Sequence, residues 1–253
     1  MTPSAVTLDG LCKRFGGIVV AQDIHLTLEA GSVVGLIGPN GAGKTSLFNL
    51  ISGAVAADSG GIYLNGRRVN HLPMHARARL GLSRTWQHIR LFPSLTVLDN
   101  LVVAPRLYAG ESIVKCLFGA GALGRGRAAL VERAMAQLAK VRMTHAASRY
   151  PTEFSYGKQK LISLARALMN DGNALLLDEP IAGVEGPAYD ALTEVIRDEA
   201  AAGRAVCVVE HNISFVKDLC DRAVFMFQGR IVRTGTVADL MASEELTELY
   251  FGR

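Results

Sequence analysis

The stretch GPNGAGKT, which runs from Gly38 to Thr45, has residue types and a spacing suited to binding phosphate. It fits the pattern G-x-x-x-x-G-K-[ST], in which glycines let backbone N–H groups converge on an anion at the start of a helix. Lys44 would contact the terminal phosphates, and the Thr45 hydroxyl would bind Mg²⁺. The alternative is a glycine-rich turn that binds no ligand. We predict a nucleoside triphosphate site formed by Gly38, Asn40, Gly41, Gly43, Lys44, Thr45 and Ser46.

Two acids, Asp178 and Glu179, end the short apolar run ALLLDE, which we predict to be a buried strand. In an open α/β sheet the carboxyl ends of the strands form the edge where ligands bind. We therefore predict that Asp178 holds Mg²⁺ and that Glu179 polarises the water that attacks the terminal phosphate. The alternative is an aspartate that caps a helix, followed by a solvated glutamate.

Two further polar residues are candidates for the same chemistry. The run AVCVVEHN would place His211 at the same sheet edge, where it could sense the γ-phosphate. Gln87, in TWQHIRLF, could contact both Mg²⁺ and the attacking water. A single histidine or glutamine is more often an ordinary surface or core residue, so both roles depend on the phosphate loop and the two acids.

A second candidate phosphate-binding segment is FSYGKQK. It offers the hydroxyl of Ser155, the backbone of Gly157 and the charge of Lys158, and a helical pattern follows it. Ser155 could cap that helix, whose free N–H groups and positive end would then face a phosphate. The alternatives are a serine that only caps the helix and a solvated lysine. The apolar positions with helical spacing are Leu161, Leu164, Ala165 and Leu168.

The elements that position these residues are predicted from hydrophobic patterns. Alternation in AVTLDG, IHLTLEAG and GIYLNG indicates an antiparallel sheet, whereas the continuous apolar runs SVVGLIG, ALLLDE and AVCVVEH indicate parallel strands buried on both faces. Helical spacing follows the phosphate loop and recurs from Gly124 to Arg142. The segment AVFMFQGRIVRTG predicts a hairpin that turns at Gln228 and Gly229. The predicted fold class is α/β.

Length and composition limit the domain organisation and the location. The 253 residues predict one domain, with a mostly helical subdomain at about 88–170 inserted in its core. Lys and Arg total 27 against 23 Asp and Glu, without a basic run, so we expect no nucleic-acid partner. No apolar stretch reaches the ~18 residues of a membrane span, and Cys12, Cys116, Cys207 and Cys220 form no regular framework, which together favour the cytoplasm.

The motifs together resemble the ATP-binding subunit of an ABC (ATP-binding cassette) transporter, over nearly the whole chain and in the family's order. The signature departs from the common Leu-Ser-Gly-Gly-Gln at Phe154, Tyr156 and Lys158, and Glu185 stands where the D-loop usually ends in Asp. In family terms GPNGAGKT is similar to the Walker A loop, Gln87 to the Q-loop residue, FSYGKQK to the signature, ALLLDE to the Walker B strand, IAGVEG to the D-loop and His211 to the switch histidine.

This resemblance implies a P-loop NTPase core with an antiparallel β subdomain and an inserted α-helical subdomain. It implies that two ATP-binding subunits, identical or related, pair head to tail, so that the signature of one closes over ATP on the phosphate loop of the other. Phe15 corresponds to the aromatic residue that stacks on adenine, although a phenylalanine near a strand end is more often a core residue. Transmembrane permease subunits would hold the dimer at the inner face of the cell membrane, and a solute-binding protein would act indirectly.

A narrower resemblance is to the ATPases of bacterial branched-chain amino-acid uptake, carried by RFGG, RTWQHIRLFPSLTVLDNL, YGKQK and EHNISFVKDLCDR. It implies ATP hydrolysis that powers import of branched-chain or other hydrophobic amino acids. An ATPase of a urea, amide or other solute transporter is the alternative. A non-transport ATP-gated clamp is a third hypothesis, but no sustained heptad run of the kind found in DNA-repair clamps is visible.

Overall fold

A computed structural model of the chain describes residues 4–105 and 120–243, together with residues 246, 248 and 249. Cys116 and part of the predicted helical subdomain lie outside these residues. The chain divides into two compact units, which are called the first and the second unit below. The first unit contains the described residues of Met1–Arg84, Gly172–Pro180 and Ile196–Arg253, and the second contains those of Thr85–Asp171 and Ile181–Val195.

The first unit contains a four-stranded antiparallel sheet, as the alternating sequences predicted. Buried and exposed residues alternate along its strands because one face packs on the core and the other meets solvent. The strands are β1 (Ser4–Phe15), β2 (Ile18–Glu29), β4 (Ser59–Leu64) and β5 (Arg67–Arg68), in the order β2-β1-β4-β5, and β3 (Val33–Ile37) belongs to the next sheet.

The second sheet of the first unit has six strands, and it holds the predicted parallel strands at its centre. Every residue of β3 and of the strands with the sequences ALLLD and AVCVV is buried, because this part of the sheet is covered on both faces. The strands that join β3 are β6 (Leu82–Arg84), β7 (Ala174–Asp178), β8 (Ala205–Val209), β9 (Arg222–Phe227) and β10 (Arg230–Gly235), in the order β10-β9-β3-β8-β7-β6. Only the β9–β10 hairpin is antiparallel among these pairs.

Helices cover the two faces of this second sheet. On one face, Leu47 and Phe48 of α1 (Lys44–Ser52) share a core with Val34 and with residues of the antiparallel sheet. On the other face, α7 (Ile213–Leu219) and α8 (Val237–Met241) pack on Phe225 in a separate core. The neighbouring residues of β9 alternate between the two cores, which fixes the register of the sheet against its helices.

A buried arginine on α2 (Met74–Arg79) caps the C-terminal end of α1. The guanidinium of Arg77 donates hydrogen bonds to the carbonyls of Leu50 at 2.7 Å and Ile51 at 2.9 Å, in the last turn of α1. It also donates to Leu72 at 2.9 Å and Asn70 at 3.2 Å, while burial lowers the pKa of Arg77. These bonds satisfy carbonyls that a helix end leaves without partners and fix the helix that carries the phosphate loop.

The second unit is helical. Its helices α3 (Val97–Val102), α4 (Ala120–Lys140) and α5 (Tyr156–Leu168) pack on one another. The helix α6 (Pro187–Ala201) begins in the second unit and ends in the first. Among the described residues, no helix is long and apolar enough to cross a membrane. Short 3-10 turns lie between α4 and α5, at Thr144–Ala146 and Pro151–Glu153.

The helix predicted from Gly124 to Arg142 is present as α4, but it ends at Lys140. Arg142 adopts a left-handed backbone conformation, with φ at 58°, which an α-helix does not accept. The organisation into one ATP-binding domain with a helical subdomain at about 88–170 stays a prediction.

Candidate nucleotide site

The predicted phosphate loop joins the buried strand β3 to α1, as the sequence indicated. Gly43 precedes α1 with φ at 105°, and a Cβ atom at this position would lie 2.4 Å from the carbonyl oxygen of Val20, so only glycine fits. No side chain caps α1, and its first turn carries no acidic residue. The start of α1 therefore presents N–H groups and a positive helix end to an anion.

Lys44 lies at the start of α1 with its ammonium folded back on the loop. Its Nζ donates hydrogen bonds to the carbonyls of Gly38 at 2.7 Å and Pro39 at 2.9 Å. Burial lowers the pKa of Lys44, and the carboxylates of Glu179 and Asp178 oppose that shift. To contact phosphate as predicted, the ammonium has to exchange these carbonyl oxygens for phosphate oxygens.

Asp178 is the last residue of β7, and its side chain is only 1% exposed. No helix begins beside it, so the alternative of a helix-capping aspartate is wrong. Its Oδ2 lies 3.1 Å from Nη2 of Arg84, whose Nη1 donates to Asn49 and Ser52 of α1 at 2.8 and 2.9 Å. Arg84 thus links the end of β7 to the helix of the phosphate loop, a role that the sequence did not reveal.

The oxygen atoms at this point fit Mg²⁺ bound together with a nucleotide. Thr45 is exposed on the first turn of α1. The Asp178 carboxylate is close enough to the Lys44 ammonium for its negative charge to raise the pKa of Lys44. In the described part of the chain, no group of three histidines, cysteines or acids could hold a metal ion alone. Mg²⁺ commonly binds through one or two protein oxygens plus phosphate oxygens and water, which matches this donor set.

Glu179 and His211 lie together at the carboxyl edge of the second sheet. Glu179 has φ at 48°, a left-handed conformation that is uncommon for any residue except glycine. Its Oε1 is 3.9 Å from Nδ1 of His211, and the two side chains are 22% and 60% exposed. Strained backbone at such an edge is typical of functional positions, and both side chains are accessible to solvent.

Phe15 lies at the end of β1 and is 49% exposed, so it is not a core residue. The Nζ atom of Lys13 lies 5.2 Å from the centre of its ring. An exposed aromatic face of this kind can stack on a planar base.

The remaining predicted site residues belong to the second unit. Gln87, Ser155 and Lys158 are exposed, and Gly157 is buried. Ser155 precedes α5, but its hydroxyl makes no capping hydrogen bond, so the prediction that it caps the helix is wrong in that respect. Because Ser155 is exposed and its hydroxyl does not cap the helix, the hydroxyl is accessible to a ligand. The predicted apolar positions of α5 are all buried, as Leu161, Leu164, Ala165 and Leu168 show.

The structure thus assembles the predicted residues in two groups. In the first unit, Lys44, Asp178, Glu179 and His211 meet beside the phosphate loop. In the second unit, the carbonyl of Gln87 is bound by side chains of α5. Arg84 and the α5 residues that hold Gln87 were missed, because charged residues in a sequence read as solvated unless a long-range partner is known.

Comparisons with known proteins agree with this arrangement. The family model described as ABC transporter, ABC_tran, matches residues 21–182. The high-affinity branched-chain amino acid transport ATP-binding protein BraF of Pseudomonas aeruginosa is 33% identical over 100% of this chain and 99% of its own. The lipopolysaccharide export system ATP-binding protein LptB of Haemophilus influenzae is 32% identical over 98% of each chain.

Solved structures give the same result at the level of the fold. A nucleotide-free ATP-binding cassette from an ABC transporter has a TM-score of 0.86 and 27% identity, covering 99% of this chain and 100% of that one. Both compact units fall within the matched length. By its sequence, its fold and the residues assembled at its phosphate loop, the chain belongs to the ABC transporter family.

Proposed function

We propose that the chain is the ATP-hydrolysing subunit of a membrane importer for branched-chain or other hydrophobic amino acids. The observation that carries the substrate class is the 33% identity to BraF along the full length of both chains. ATP hydrolysis itself follows from the family and from the site, where a phosphate loop faces the ends of two strands that carry Asp178, Glu179 and His211.

The residues of the first unit account for the chemistry. The loop from Gly38 to Ser46 binds the phosphates, and the ammonium of Lys44 offsets the repulsion among their oxygens. Glu179 orients the attacking water and accepts its proton, while His211, whose Nδ1 lies 3.9 Å from Oε1 of Glu179, contacts the γ-phosphate. The exposed ring of Phe15 stacks on adenine.

Mg²⁺ would be held by Thr45 and Asp178, and it would withdraw charge from the phosphate oxygens. From the family resemblance alone, we propose that Gln87 contacts both this Mg²⁺ and the attacking water. Arg84 holds the buried carboxylate of Asp178 in place, so the metal ligand does not need to reorient when the nucleotide arrives.

A second ATP-binding subunit, identical or related, completes the site in this proposal. Ser155, Gly157 and Lys158 of one chain contact the ATP held by the phosphate loop of the other. The accessible hydroxyl of Ser155, which makes no bond to its own helix, supports that role. Lys158 adds a positive charge where the γ-phosphate would lie.

Permease subunits are the proposed membrane partners, and they place the chain in the cytoplasm at the inner face of the cell membrane. Phe92, which follows the Gln87 segment, is 46% exposed and offers an apolar contact for them. A solute-binding protein would act indirectly, by delivering the amino acid to the permeases.

A transporter for another solute is the second candidate, because LptB has nearly the same identity as BraF. A urea or amide transporter falls in the same class, and an ATP-gated clamp outside transport is the third candidate. No residue described above contacts a transported solute, so cellular uptake has to distinguish them.

Deleting the chain's own coding sequence in its host should abolish high-affinity uptake of labelled leucine, isoleucine and valine, because the importer loses its source of energy. The parental chain should restore uptake, and Glu179→Gln should not. Initial uptake rates at low external concentrations of the amino acids measure the loss of uptake in the deletion strain and its restoration by each chain.

Uptake of a sugar in the same cells is the control for a general loss of membrane energy. Normal uptake of all three amino acids in the deletion strain would contradict the proposed substrate class. Altered lipopolysaccharide export in that strain would support the second candidate instead.

A further inference from the structure

Side chains of α5 donate hydrogen bonds to backbone carbonyls of the segment that carries Gln87. Tyr156 Oη donates a hydrogen bond to the carbonyl of Gln87 at 3.3 Å, and Lys160 Nζ donates to the same oxygen at 3.0 Å. Farther along α5, Arg166 donates to the carbonyl of Arg90 at 2.6 Å. Two of the three donors are cations, whose hydrogen bonds are stronger than those between neutral groups.

Lys160 is only 5% exposed, which is unusual for a lysine. A buried ammonium is costly unless it has partners, and the Gln87 carbonyl is one of them. Its Nζ also lies 5.6 Å from the centre of the Tyr156 ring. Tyr156 and Lys160 are four positions apart on α5, so they lie on one face and reach the same oxygen.

Tyr156 occupies the third position of the signature, where the commonest pattern has glycine. Its ring packs against the backbone of the turn after β7: a Cβ atom added to Gly183 would lie 2.9 Å from Cδ1 of Tyr156. Gly157 is equally close to this turn, since its added Cβ would lie 3.0 Å from the carbonyl oxygen of Gly183. The Tyr156 side chain therefore touches both the Gln87 segment and the Gly183 turn, which a glycine could not do.

We propose that Tyr156 and Lys160 form a carbonyl latch, through which the start of α5 sets the position of Gln87. This inference rests on the proposed function, in which ATP bound to the partner subunit contacts Ser155 and Gly157. Those residues directly flank Tyr156, so any displacement of the start of α5 displaces the hydroxyl that holds Gln87. Gln87 of one chain thereby responds to ATP on the phosphate loop of the other, and the latch residues are positioning residues.

The test uses the full chain with Glu179→Gln, so that ATP remains bound. A double variant, Tyr156→Phe with Lys160→Met, removes both donors but keeps the ring and the apolar stem. Backbone hydrogen exchange is measured with and without Mg-ATP in residues 86–92 and at the start of α5. We expect ATP to slow exchange in both regions of the parent. In the double variant ATP should still slow exchange at the start of α5, but it should slow exchange less in residues 86–92 than in the parent, because only the direct contact of Gln87 with Mg-ATP remains.

Hydrolysis provides a second readout in chains that retain Glu179. The double variant should keep the parental ATP dissociation constant, because the phosphate loop is unchanged, and its kcat should fall about tenfold through misplacement of Gln87. Lys160→Arg, which keeps a cationic donor, should restore most of the rate relative to Lys160→Met. Lys140→Met, an exposed lysine at the end of α4, is the matched control and should behave as the parent.

Equal ATP-dependent protection of residues 86–92 in the parent and the double variant would overturn the latch, provided both chains dimerise. Failure of the Glu179→Gln parent to bind ATP or dimerise would overturn the proposed function, and the latch with it. If the double variant does not fold, Tyr156→Phe alone decides, and it should show a smaller loss in the same region.

Discussion

Glu179→Gln is expected to slow ATP hydrolysis by about 10² to 10⁴, the usual contribution of a positioned general base. The amide has nearly the shape of the carboxylate but cannot accept a proton from water. Glu179 is suited to this role because its left-handed backbone directs a partly exposed carboxylate to the sheet edge, 3.9 Å from His211. Affinity for ATP should stay near the parental value, because the phosphate loop is unchanged.

Steady-state phosphate release measures the rate, and size-exclusion chromatography with Mg-ATP shows whether a stable dimer accumulates, as we expect for trapped ATP. Glu132→Gln, an exposed glutamate on α4, is a matched control that should hydrolyse ATP normally. Turnover of Glu179→Gln at the parental rate would assign the base to another residue, and His211 would be tested next.

Lys44→Ala should weaken ATP binding about 10- to 150-fold, because a charge-assisted hydrogen bond to phosphate, worth about 1.5–3 kcal/mol, is lost from a buried position. The ammonium is already placed at the loop by the carbonyls of Gly38 and Pro39. Titration with labelled ATP measures the affinity, and a thermal melt without nucleotide shows that the variant is folded.

Lys217→Ala removes an exposed lysine from α7 and controls for the change in net charge. Unchanged affinity of Lys44→Ala alone would contradict the assignment of the phosphate site.

Local pattern was sufficient to predict the elements that carry the site. The continuous apolar runs that became β3, β7 and β8 are buried at every residue. A strand covered on both faces has no side exposed to water, so its sequence is apolar along nearly its whole length. The hairpin turn was also predictable, because two-residue hairpin turns need positive φ angles, which glycine readily adopts. Gln228 and Gly229 have φ of 47° and 77° in the structure. Acids at the end of such a strand then mark the ligand edge.

Long-range pairing was not predictable from the sequence. Arg84 lies 94 positions from Asp178, and only the fold brings the two together in a buried ion pair. Arg77 and Lys160 are buried cations whose acceptors are backbone carbonyls, and any sequence provides such carbonyls everywhere. The strand β6, which carries Arg84, is too short to show a period.

The side-chain contacts of Ser155 and Lys44 were also beyond the sequence. A serine before a helix usually caps it, yet the Ser155 hydroxyl makes no such bond, because preference for a position does not fix a rotamer. Lys44 bonds its own loop for a related reason: a buried ammonium takes the nearest oxygen atoms.

The central claim is that hydrolysis needs the phosphate loop of one chain and the signature of another, and Ser155→Arg tests it most directly. Labelled-ATP binding and phosphate release are measured on the same purified variant. We predict near-parental ATP affinity, because in the proposed dimer Ser155 contacts the ATP held by the partner's phosphate loop and not the ATP of its own chain. We also predict loss of hydrolysis, because arginine would fill the position where the partner's γ-phosphate would dock. Loss of ATP binding as complete as in Lys44→Ala would show that the signature acts within its own chain, and would contradict the claim.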